Sequence, residues 1–140
     1  MAFLLPRTDQ AVGVFWTGDP AIKVKRGASD AEPKIIRAES AGGRIKRTGP
    51  PPDRFVVRPL NNREFLGLGA IGSDSTGMAY AACEMCALAI TRIDRGDGTT
   101  IDDEEEIRRI VNEGVPPEFI SSMAQFIVEL TTTSGGQKKT

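Results

Sequence analysis

Apolar positions come in short alternating runs through the first sixty residues and then recur every three or four residues through most of the remainder. A period near two suits strands, and a period near 3.6 suits helices. Residues 11–16 and 21–24 are the first strand candidates, and Thr17-Gly18-Asp19-Pro20 between them is a turn sequence. Residues 34–37 and 43–47 are shorter candidates around the Ala41-Gly42-Gly43 turn. Thr48-Gly49-Pro50-Pro51-Pro52-Asp53 excludes helix and inner strand, because three consecutive prolines remove three donors and fix φ. Phe55-Val56-Val57-Arg58-Pro59-Leu60 is the best-formed strand, stopped by its own proline.

Helical signals dominate after residue 70. Ser73-Asp74-Ser75 offers capping oxygens to a helix expected over residues 77–93. Its stripe is Met78, Ala82, Met85, Ala89 and Ile93, and its many alanines allow another helix to approach closely. Residues 94–100 form a loop. A second helix opens at Asp102–Glu106, where acidic side chains suit the positive end of the helix dipole; its inner face is Ile107, Ile110 and Val111, and Gly114 stops it. Pro116-Pro117 begins a third helix whose stripe is Phe119, Met123, Phe126, Ile127 and Leu130. The resulting expectation is an α+β fold: a short-stranded, extended N-terminal part, then a compact three-helix C-terminal part. Residues 1–54 are expected to form an extended, β-rich arm, residues 55–131 an α-rich core domain opened by a strand, and residues 132–140 a polar tail.

Composition permits a folded core, with 39% apolar and 26% charged residues, while 6% aromatics argues against a surface for stacking bases or sugars. The net charge of −1 hides an asymmetry: residues 1–58 carry eleven Lys/Arg against six Asp/Glu, and residues 59–140 carry seven against thirteen. Opposite halves can attract head to tail between copies, or can simply be two solvated faces of one domain. No apolar run reaches the length of a membrane span, and Met1–Arg7 is too short for a signal peptide, so residence in a cytosol is the default expectation. In that setting Cys83 and Cys86 are free thiols.

Histidine is absent, which removes the commonest general base and the Ser-His and Cys-His nucleophile arrangements. Gly67-Leu68-Gly69-Ala70-Ile71-Gly72 matches a dinucleotide fingerprint in letters, but no βαβ unit follows, and a linker before a helix is the simpler reading. Cys83-Glu84-Met85-Cys86 lies inside a helical segment with no second pair, so buried small hydrophobes are favoured over a redox or zinc site. The segment 94–105 resembles a calcium-binding EF-hand loop, with Asp94 at the first place, Asp102 at the ninth and Glu105 at the twelfth. Its third and fifth places are glycines, which offer no side-chain oxygen, so a tight link before an acidic helix start competes with calcium. No catalytic set and no cofactor is expected. Nucleic acid is not expected either, since the basic first half lacks interleaved aromatics.

From Phe55 onward the order of features is similar to small proteins of tailed-bacteriophage morphogenesis, tail-assembly chaperones above all. A strand ending in Arg58-Pro59-Leu60 precedes Arg63-Glu64-Phe65, a long helix, a Gly-containing turn, the acidic start Ile101-Asp102-Asp103-Glu104-Glu105-Glu106-Ile107 and the Pro-opened helix from Pro116 to Leu130. The resemblance spans about 80 of the 140 residues. It implies a non-enzymatic structural or assembly protein of a phage. Its partners would be other phage structural proteins or copies of itself, with no membrane involved. It would occupy the host cytoplasm during assembly and the virion if it is a tail, neck or capsid-associated component; a chaperone would be absent from the finished particle. Phe3, Leu4, Leu5, Phe15 and Trp16 are the candidate contact residues, because large apolar side chains anchor interfaces.

Overall fold

The computed structural model describes residues 11–23, 33–68 and 75–135. It is α+β, as expected. Five strands, β1 (Val12–Trp16), β2 (Ile35–Arg37), β3 (Arg54–Val57), β4 (Ile90–Asp94) and β5 (Thr100–Ile101), form one antiparallel sheet in the order β2-β1-β3-β4-β5. Among the described residues four α-helices complete it: α1 (Asn62–Leu68), α2 (Ser75–Ala89), α3 (Glu104–Glu113) and α4 (Pro117–Gly135). α2 packs against both α3 and α4, and the helices cover one face of the sheet.

The strand alternation explains which face is covered. Val14 pairs with Phe55, Phe55 with Ile93, and Val12 with Val57, so one row of apolar side chains from three strands meets the helices. Phe119 of α4 sits on that row, with its ring 4.8 Å from that of Phe55 and edge-on to Trp16 at 5.6 Å. Met123, Ile127 and Leu130 continue the buried stripe of α4 along the sheet. On the other face, Phe15 packs with Ile22 and Ala41, brought there by the bridge between Ile22 and Ile45. The neighbouring outer surface of β3 and β4 is polar, with Arg54 bound to Asp94 at 3.3 Å and its guanidinium lying over Gly13, where any Cβ would collide with it.

Four expectations change. Residues 11–23 and 33–54 do not form an arm beside a helical core, because β1 is an inner strand flanked by β2 and β3. The helix expected over 77–93 ends at Ala89, and residues 90–94 are strand β4. Ile90 and Ile93 both face inward although they are three apart, a spacing that reads as helical. A register shift opposite Val56/Val57 inserts Thr91 as an extra residue and resets the alternation. The link 94–100 is therefore the turn of a β-hairpin, not a loop between helices. Arg95 donates from its N–H to Thr99 and accepts from Gly98, and Gly98 takes φ +95°, the left-handed position of a three-residue hairpin loop. α4 also continues through Gly135, past the expected start of the tail; residues 136–140 lie outside the described residues.

Candidate protein-interaction surface

α1 is short, seven residues, and is fixed by side chains at its start. Asn61 Oδ1 accepts from the Glu64 N–H at 2.8 Å while Glu64 Oε1 accepts from the Asn61 N–H at 3.0 Å, a reciprocal cap. Arg58 grips the same carboxylate through two hydrogen bonds of 2.9 and 2.7 Å. The Arg58 guanidinium is the main reason that Glu64 titrates below the usual glutamate range, against a smaller opposing effect of burial. The helix so anchored presents Leu66 to solvent, 76% exposed.

α2 adjoins it. Glu84 is its sole ionisable group apart from its thiols and the Tyr80 phenol, and Arg108 of α3 takes that carboxylate at 2.5 and 3.1 Å. Met85, Cys86, Ala87 and Ala89 are buried, whereas Met78 is 62% and Tyr80 67% exposed. A helix that is apolar nearly all round belongs inside a protein, and this one has an uncovered side. Beside it lies a groove of about 270 Å³ where α2, α3 and α4 meet, lined by Ala79, Ala82, Cys83, Val111, Val115 and Ile120. The floor is small and aliphatic, so a large side chain can enter without displacing a charge.

The contact residues expected from sequence fall elsewhere. Phe15 is 7% exposed in the outer cluster, and Trp16 is half-buried against Phe119, so both serve the core and not an open surface. Phe3, Leu4 and Leu5 lie outside the described residues. Leu66 and Tyr80 were not singled out in the sequence, and the stripe assigned to α2 put Met78 on the buried side. The available signal was the excess of apolar positions in α2 over what one stripe needs.

The calcium-loop residues do not converge on a shared point. Asp94 belongs to β4, where Arg54, Arg92 and Thr100 all bond to its carboxylate. A little burial raises its pKa, but the bonds from Arg92, Thr100 and Arg54 outweigh that and leave it lowered. Asp102 is exposed ahead of α3 and Glu105 is exposed in its first turn, while Asp103 supplies the helix cap by accepting from the Glu106 N–H at 2.9 Å. Among the described residues no group of three or more His, Cys, Asp or Glu side chains is placed to hold a metal ion.

A cleft of about 590 Å³ lies at the end of the sheet where the 17–20 turn, the proline segment and the 95–97 turn meet. Its carboxylates are engaged by the backbone. Asp19 accepts from the N–H groups of Ala21 (2.9 Å) and Asp53 (3.1 Å), and Asp53 accepts from the Gly96 N–H at 2.8 Å and faces Arg95 at 3.5 Å. These bonds staple three loops together. Cys86 is buried, its thiol pushed up to about 12 by desolvation and by the neighbouring Cys83, which is the reverse of an activated thiolate. Glycines 69 and 72 of the fingerprint-like stretch lie outside the described residues, and Gly67 is within α1. No family model, curated protein or solved structure matches the chain.

Proposed function

We propose that this chain is a non-enzymatic structural or assembly protein of a tailed bacteriophage, acting through protein–protein contact as a component of the tail, neck or capsid. The observation that carries the binding role is the uncovered apolar side of α2, with Met78 and Tyr80 exposed and Leu66 exposed on the adjoining α1. Burying side chains of this kind contributes on the order of 1.5–3 kcal/mol each, so a partner that covers all three gains several kcal/mol toward association. The absence of histidine from the sequence, the backbone-engaged carboxylates of the large cleft and the suppressed Cys86 thiol support the non-enzymatic part. The phage setting rests on the order of sequence features from Phe55 to Leu130.

Quantitative mass spectrometry on particles of a phage that encodes the chain tests the reading. Presence in finished particles at a fixed copy number is the expected result. Presence in assembly intermediates alone assigns the chaperone role instead. Absence from both, or incorporation unaffected by changing Leu66, Met78 and Tyr80 together to Asp, overturns the α2 face as the contact.

A further inference from the structure

We draw no further inference here: the strongest candidate, the apolar groove where α2, α3 and α4 meet beside the exposed Met78 and Tyr80, belongs to the surface already described, and nothing in the structure shows what covers it.

Discussion

Glu64 illustrates how one carboxylate can fix the position of a helix, since it closes a reciprocal cap with Asn61 and receives both arms of Arg58. Glu64→Ala should cost about 1–2 kcal/mol in urea unfolding, the usual scale for losing a cap and a charge-assisted bond. Because the folded state lowers this pKa, the stabilisation is complete above the ordinary glutamate value of about 4.3 and is lost progressively as pH falls below it. The acid limb of the stability curve should therefore be shallower in the variant. Thr131 makes a long-range tie, its Oγ1 accepting from the buried Leu60 N–H at 3.1 Å. Thr131→Val keeps the shape and orphans the donor, so a loss of about 1–3 kcal/mol is expected in the same assay. Gly96 has no room to grow: a Cβ would lie 2.1 Å from the Pro51 carbonyl oxygen, and Gly96→Ala should lower the melting temperature by forcing the hairpin turn off the proline segment. These ties were not legible in the sequence, because each joins residues that only the fold brings together. The Asn61-x-x-Glu64 spacing is the exception, being a local signature.

At the scale of elements, the boundaries that read correctly are those with strong local chemistry. Pro117 opens α4, and α3 starts within the expected 102–106 stretch, where Asp103 supplies the acceptor that the first backbone donors need. Gly114 does end α3, with its N–H bonded to the Ile110 carbonyl, yet at φ −109° it does not use the left-handed conformation that glycine permits. The misread element is 77–93. An alanine-rich helix running into Ile-Thr-Arg-Ile keeps an apolar residue every three or four places across the junction, and the inserted Thr91 that makes β4 compatible with the sheet cannot be seen without its partner β3. The same uniformity hid which side of α2 faces out. Replacing Met78 and Tyr80 with Asp should change stability by no more than about 0.5 kcal/mol, since both are exposed, while abolishing partner binding in a co-purification of the assembled complex. The hairpin that stands where the sequence also resembles a calcium loop should leave the melting temperature unchanged at millimolar calcium, since selective binding to the native state would raise it.

For the molecule as a whole, the placement of β1 decides how the parts cooperate. An inner strand with apolar clusters on both faces cannot detach without opening the sheet, so residues 11–16 belong to the same cooperative unit as the helices. Hydrogen exchange should find the Val14 amide opening only with global unfolding, in a single transition. Faster exchange through β1 than through α4 would separate the two halves and restore the extended-arm reading. The α+β class was legible from the change of period along the chain, whereas the interleaving was not, because order in sequence says nothing about order across a sheet. That interleaving also governs the timing of synthesis. β3 leaves the ribosome some forty residues after β1, and the α4 residues that cover the sheet, Phe119 to Thr131, follow about a hundred residues after β1. At about 5–20 residues per second the nascent chain waits roughly 6–23 seconds with Val12-Gly13-Val14-Phe15-Trp16 unable to find its full environment. A ribosome stalled before codon 117 should therefore carry a protease-sensitive chain, and emergence of α4 should convert it to a resistant one in a single step.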